Sequence, residues 1–375
     1  MVTPIFIIAT GLGLAFALGF IPKKHIDITG IISLLGLAFM TFISAQWLFA
    51  YLGNITDQTY IFTAGATPPF SIALKMGVQE AFITLLINIV GFLSAVYMYE
   101  KLKSIGRNAF MIILVLIMAL NVIIMTRDLF NLFVFLEITS IATAGLMLLD
   151  RNLKTLSAGF KYLLATSLIA GIFLIGTIFI YYFGGSLYID SLTSLSIVPI
   201  KAVSVAFFFL LISIILELKP FPANGWGLDV YQTANPGISA IISGGTATAM
   251  LFALYKIMPI GQISNYEILI WVGLTTFLGS NLMGLKQTDA NRLLGYSSIG
   301  QIGLMTAVIG LKPYMQGDLQ IILLAILITH FMAKAGFFWL SGIVGSTDLK
   351  KWRKLRKHPE LLFIMGTFVF ALIGF

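Results

Sequence analysis

The chain has 375 residues, 59% of them hydrophobic and only 10% charged, with a mean hydropathy of +0.99. A soluble surface needs about a quarter charged residues, so the composition excludes a water-soluble globular fold and specifies an all-α polytopic membrane protein. Zero cysteines exclude disulfides, thiolate metal sites and cysteine-ligated iron–sulfur clusters, and three scattered histidines argue against haem or zinc. With no glycine-rich phosphate loop after a strand pattern, neither a cofactor nor a catalytic centre of its own is expected.

Taken in chain order, apolar stretches of spanning length fall at about residues 4–22, 30–52, 72–99, 109–126, 129–149, 157–183, 198–218, 236–257, 266–285, 293–311, 319–345 and 359–375. That predicts about twelve transmembrane helices. No segment alternates apolar and polar residues over the roughly ten positions of a barrel strand. The first span has no basic leader and is followed by many like it, so it is expected to stay rather than act as a signal peptide.

The net charge of +8 follows membrane topology. Loops after the odd-numbered spans hold Lys23, Lys24, Lys101, Lys103, Arg107, Arg151, Lys154, Lys161, Lys219, Lys286, Arg292, Lys350, Lys351, Arg353, Lys354, Arg356 and Lys357. The other side holds Lys75, Arg127, Lys201, Lys256 and Lys312. This asymmetry places the first set in the cytoplasm and the N-terminus outside. The run Lys350 to Lys357 then reads as a topology anchor touching lipid headgroups, and no nucleic-acid partner is expected.

Four groups of polar residues lie where lipid would not tolerate them. Glu137 is a lone carboxylate in LFNLFVFLEITSIATAGLMLL; an ionised group at mid-membrane costs at least ~3 kcal/mol and is usually functional, although a protonated packing residue is the alternative. Just before it, Arg127 and Asp128 are expected at the interface, paired with each other, with Asp128 capping the helix. Next, Glu217, Lys219, Pro220, Pro222 and Gly225 must interrupt a helix: either it is broken within the membrane, freeing backbone groups beside an ion path, or it ends at Leu218 in a cytoplasmic loop. His330 and Lys334 share a helical face, and a lysine so deep can gain and lose a proton, as a carrier must. Finally, Tyr296, Ser297, Ser298 and Gln301 lie among Gly295, Gly300 and Gly303, where close helix packing explains most of the pattern and a water wire is the alternative.

From Asp128 to Gly342 these features resemble, in order, the antiporter-like subunits of NADH:quinone oxidoreductase (complex I), energy-converting membrane-bound hydrogenases and multisubunit sodium/proton antiporters. Asp128–Leu129, Leu132, Phe133 and Leu136–Glu137 look like the family's fifth helix with its glutamate, and Lys161–Tyr162 with Ser167 like the sixth. Pro222, Trp226, Asp229–Val230–Tyr231–Gln232, Pro236 and Ser239 resemble the loop between helices seven and eight, in wording closest to the ND2 or N-type subunit. Asn291–Arg292–Leu293–Leu294 with Tyr296–Ser297–Ser298 is similar to the entry to helix ten, and His330, Lys334, Phe338 and Gly342 to helix eleven. The resemblance implies two inverted five-helix repeats: helices 1–3 at 1–107, a first repeat at 108–260, and an incomplete second repeat at 261–375. It also implies a proton relay through Glu137, Lys219, Glu217, His330 and Lys334, supported by Asp128, Asp229, Tyr231, Ser297 and Gln301, with Glu137 and Lys219 as a switchable ion pair.

The family's pattern is not matched throughout. Glu217 stands where the family usually has its seventh-helix lysine, and Ala247 where it has the eighth; Lys256 is read as marking the membrane edge. Family members have about fourteen helices, so the chain is expected to lack the far end of the second repeat. The implied function is proton translocation, or sodium/proton exchange, driven by redox chemistry in peripheral partner subunits, alongside other membrane-arm subunits in an energy-converting cell membrane. A subunit of a standalone antiporter and a non-pumping structural member are the competing readings.

Overall fold

The computed structural model describes residues 1–53, 57–149, 152–194, 201–315, 317 and 319–373. The expected positions Arg151, 198–200 and 374–375 lie outside these. The helices are α1 (Ile5–Leu18), α2 (Ile26–Gly53), α3 (Val78–Tyr97), α4 (Tyr99–Ile105), α5 (Arg107–Met125), α6 (Leu129–Leu148), α7 (Leu153–Gly184) and α8 (Ile189–Ser194). They continue with α9 (Lys201–Glu217), α10 (Gly225–Thr233), α11 (Pro236–Ala240), α12 (Ala247–Ile257), α13 (Ile263–Gly284), α14 (Ala290–Gly310), α15 (Leu319–Val344) and α16 (Pro359–Ile373). Among the described residues nine helical segments are long and apolar enough to cross a membrane; α1, α9 and α16 are shorter. Together they match the twelve expected spans, and the chain is a multi-pass membrane protein.

Between the second and third spans the chain also forms two short strands. β1 (Thr59–Phe62) and β2 (Ala73–Met76) form an antiparallel hairpin on the lysine-poor side. β2 lies within the apolar run 72–99, which is therefore not one span. It turns from strand to helix at Gly77, where the Glu80 carboxylate accepts the Gly77 N–H at 3.1 Å, and breaks again at Met98.

The helix formed by α11, the π-turn Ile241–Thr246 and α12 is the centre of the molecule, buried throughout its apolar window. Around it, close packing follows the small residues. α13 and α14 meet where a side chain at Gly273 or Gly303 would strike the other helix's backbone, so dispersion contacts hold them together without a hydrophobic driving force. On the N-terminal side Asn88 of α3 and Asn121 of α5 exchange amide hydrogen bonds at 2.8 and 3.2 Å, and Asn88 also donates to Ser44 of α2 at 2.7 Å.

Asp128 caps α6 as expected, accepting the Asn131 N–H at 2.7 Å. Arg127 does not pair with it. The guanidinium instead reaches Glu80 at 3.0 Å and Asp190 at 3.8 Å, joining α3 and α8 to the start of α6. A cation 8% exposed takes the buried carboxylate of Glu80 and the partly exposed one of Asp190, while Asp128 is already occupied by the helix end.

Candidate functional site

Two buried lysine sites lie on either side of the short helix α10. The first forms where α9 stops. Pro220 and Pro222 cannot donate backbone hydrogen bonds, and Lys219 adopts φ +60°, a left-handed conformation that costs a non-glycine residue about 1–3 kcal/mol. The turn folds Lys219 back on its own helix end: Nζ donates to the Glu217 carbonyl at 3.0 Å and lies 3.9 Å from the Glu217 carboxylate. The Trp226 ring sits 5.1 Å from the ammonium, and α10 can lie against the lysine stem because residue 227 is glycine. The chain becomes helical again at Gly225, as α10.

The switchable pair expected between Glu137 and Lys219 is not made. Glu217, two residues away and on the same turn, is the carboxylate within ion-pair distance of Lys219. Glu137 is half-buried on α6 and has no hydrogen bond or ion pair among the described residues. Beside them Tyr162 is fully buried and packs on Trp226, 5.6 Å between ring centres.

The second site is on α15. Lys334 is 0% exposed and donates to the Ser297 hydroxyl of α14 at 2.6 Å. One turn earlier His330 Nε2 lies 3.2 Å from the Ser243 carbonyl, a group the π-turn's widened hydrogen bonding makes accessible. The Ser243 and Ser298 hydroxyls are 2.7 Å apart. The serines of α14, expected chiefly to pack, thus hold the Lys334 site together; Gln301 is half-buried and takes no part in these bonds.

Between and beyond the two sites lie buried polar atoms with no hydrogen-bond partner among the described residues: Thr139, then Asn224 Nδ2 and Ser239, then His330 Nδ1, Thr246 and Thr248. Each would cost ~1–3 kcal/mol if left dry, so water is the partner that these atoms call for.

Asp229 sits on α10 at the lysine-rich end, bridging Lys161 of α7 at 2.9 Å and Arg292 of α14 at 3.0 Å, with Arg292 also donating to Gln232 at 2.8 Å. Burial pushes the Asp229 carboxyl up, but the hydrogen bonds and charges of Lys161 and Arg292 outweigh it and hold the group below the usual carboxylate range.

Lys256 is not at a free membrane edge. It is 5% exposed and donates to the carbonyls of Ile123, Ile124 and Thr126 at 2.6, 3.0 and 2.9 Å, closing the C-terminus of α5 where the helix dipole favours a cation. The Glu80–Arg127–Asp190 group beside it was missed from sequence. Glu80 stands near the start of an apolar run, and that carboxylate was the available signal.

Residues 126–375 match the family described as NADH:quinone oxidoreductase/Mrp antiporter, TM. The chain is 28% identical over 285 residues to NADH-quinone oxidoreductase subunit N of Azobacteroides pseudotrichonymphae, an alignment covering 73% of this chain and 59% of that one. It is also 28% identical over 322 residues to the D-type Na(+)/H(+) antiporter subunit of Alkalihalophilus pseudofirmus, covering 82% and 64%. Its fold matches a chain of the membrane-bound sulfane sulfur reductase, an archaeal respiratory membrane complex, with TM-score 0.91 and 24% identity over 99% of this chain and 78% of that one. The chain therefore spans about 60% of the length of the curated relatives it matches. On the extent of that match, two thirds of its length, the chain belongs to the NADH:quinone oxidoreductase/Mrp antiporter transmembrane family.

Proposed function

We propose that this chain is a proton-translocating membrane subunit of a multisubunit respiratory complex, moving protons along the seam between Lys219 and Lys334 in response to redox chemistry in partner subunits. The observation that carries the reading is Lys334, a fully buried lysine whose hydrogen-bond partner is a neutral hydroxyl. A buried cation kept only for structure is normally paired with an acid or, like Lys256, with the carbonyls of a helix end; one held by a serine hydroxyl beside a histidine is arranged to pass its proton on. Lys219 and Glu217 form the exchange site on one side of α10, and His330 and Lys334 the site on the other. Glu137, half-buried on α6, is a carboxylate that lipid would penalise; a neighbouring subunit covering it accounts for its place.

The similarity to an N-type oxidoreductase subunit and to a sulfur-reductase chain favours a redox-driven assembly in an energy-converting cell membrane. The lysine-rich loops face the cytoplasm, which puts the hairpin β1–β2 outside. Residues 108–260 then form the first repeat and 261–375 part of the second. The similarity to a D-type antiporter subunit supports a second reading, sodium/proton exchange without redox partners. Recovery of the chain with iron–sulfur subunits selects the first, and recovery with small membrane subunits alone the second.

Lys334→Met tests the relay. In inverted vesicles it is expected to abolish proton uptake while electron transfer by the assembly continues in part. Uptake at the wild-type rate overturns the proposal.

A further inference from the structure

On the outer side of the Lys334 site, α3, α12, α14 and α15 line a half-open cavity of about 40 Å³, room for about three waters at roughly 10–15 Å³ each. The walls explain where it leads. On α15, Gln320, Leu324 and Leu327 face it, and the same 3–4 spacing continues through Phe331 to Lys334, so one helical face runs from the outer surface to the buried ammonium. Leu327 to Lys334 is seven residues, about 10 Å of helix. On α14, Met305 lines the cavity two turns beyond Ser298, and on α12 Thr248 lies just past the π-turn that carries Ser243. Thr248 is 1% exposed, its hydroxyl has no protein partner, and it lies on the cavity wall.

Side chains from three helices span the outer mouth, with Gln320 itself exposed. Gln79 of α3 donates to the Gln320 amide oxygen at 3.2 Å, and Gln320 donates to the Tyr255 hydroxyl at 2.8 Å. The Lys312 ammonium lies over the Tyr255 ring, 4.7 Å from its centre. Below this chain of amides the lining is aliphatic and aromatic, with Leu251, Phe252 and Met305 facing Leu323 and Leu327, and Thr248 is the one oxygen-bearing side chain among the described lining residues there.

We propose that this cavity is the outer exit of the relay, gated by the Gln79–Gln320–Tyr255 chain, and that it passes protons and not sodium. The inference rests on the proton-relay reading and deepens it by placing the outer exit and its gate. A proton crosses an apolar chamber along a short file of waters that Thr248 anchors at one end and the amides at the other. A bare sodium ion needs a shell of oxygens to replace its water, and one hydroxyl in an aliphatic chamber cannot supply it; the hydrated ion does not fit with about three waters. Amide and phenol hydrogen bonds can break and reform without moving a net charge through lipid.

The chain has no native cysteine, so Thr248→Cys gives it a single thiol at almost unchanged volume. In right-side-out vesicles holding the assembled complex, externally added methanethiosulfonate ethylammonium is expected to label this thiol slowly, and at least tenfold faster when Gln320→Ala is added. Ile263→Cys, on the exposed outer end of α13, is the control and should label at one rate in both backgrounds. Leu327→Cys, on the opposite wall, should repeat the Thr248→Cys result. A rate unchanged by Gln320→Ala, or labelling only from the cytoplasmic side, overturns the exit. Sodium-22 uptake through the Gln320→Ala protein at a rate matching its proton uptake overturns the selectivity. Thiol labelling does not depend on pumping, so a failure of the Lys334→Met test and a failure here are separate results.

Discussion

Gly227 provides a quantitative test of how closely α10 is fitted to the Lys219 site. A Cβ added there overlaps the Lys219 Cδ and stands 3.0 and 3.1 Å from Cγ and Cε, so in Gly227→Ala either α10 or the lysine stem must move. Inserting a methyl into a packed site costs about 1–3 kcal/mol. The lysine is the softer partner, but its ammonium is fixed by the Glu217 carbonyl at 3.0 Å and by Trp226, and moving the stem gives up both. If the aligned state carries transport, a 1–3 kcal/mol penalty lowers its population, and the rate of proton uptake, by about 5- to 150-fold. The same penalty should appear as a lower thermal unfolding midpoint of the purified assembly. Both effects have one cause, so they should disappear together when the stem is removed: in a Lys219→Ala background the added methyl should cost little stability. Transport at the wild-type rate in Gly227→Ala, or an equal stability loss with and without the lysine stem, refutes the reasoning. The double-mutant comparison guards against a general helix effect, because alanine is a better helix former than glycine and would otherwise stabilise α10.

Lys256→Met removes the donor that satisfies three carbonyls at the end of α5; leaving such groups without a partner costs at least ~1–3 kcal/mol, so the unfolding midpoint should fall, and an unchanged midpoint would show the cap to be idle. Asp229 carries the pH prediction. Its carboxyl is held below its unfolded value by Lys161 and Arg292, so its contribution to stability is present above the ordinary carboxylate range and is lost as pH falls through the lower folded value. The group is partly exposed, which limits Asp229→Asn to a loss under ~1 kcal/mol at neutral pH. The gap in unfolding midpoint between wild type and Asp229→Asn should shrink from pH 7 to pH 3; a gap that widens on acidification contradicts the assignment.

The spans were legible because lipid demands runs of apolar residues, and the same demand makes any charge inside them conspicuous. That is why Glu137, Lys219, His330 and Lys334 could be named in advance. Their partners could not be. Lys219 turns back to Glu217 through a left-handed residue, a conformation that a lysine gives no sign of adopting. Lys256 reads as a snorkelling lysine at a helix end until α5, about 130 residues earlier in the chain, presents its carbonyls. The hairpin was hidden for a simpler reason: β2 is four residues long and continuous with an apolar run, so hydropathy alone cannot separate it from the helix that follows.

The break after α9 is best understood by what α10 touches. Trp226 and Gly227 bear on Lys219 at its start. One turn on, Tyr231 stacks on Phe338 of α15, 5.4 Å between ring centres, and packs on Gly295 of α14. Phe338 is one turn from Lys334, and Gly295 is two residues from Ser297, its hydrogen-bond partner. Nine residues, about 13 Å of helix, therefore contact both lysine sites. An unbroken α9 would point away from α15 and leave the two sites without a shared element. With the break, α10 packs on Lys219 at its start and beside Lys334 through Tyr231, so in the proposed relay a rotation of α10 would disturb both sites together. Asp229, in the middle of α10, ties the helix to α7 and α14. Coupling between the sites then needs no continuous wire of charges, only one short rigid helix with two packed ends.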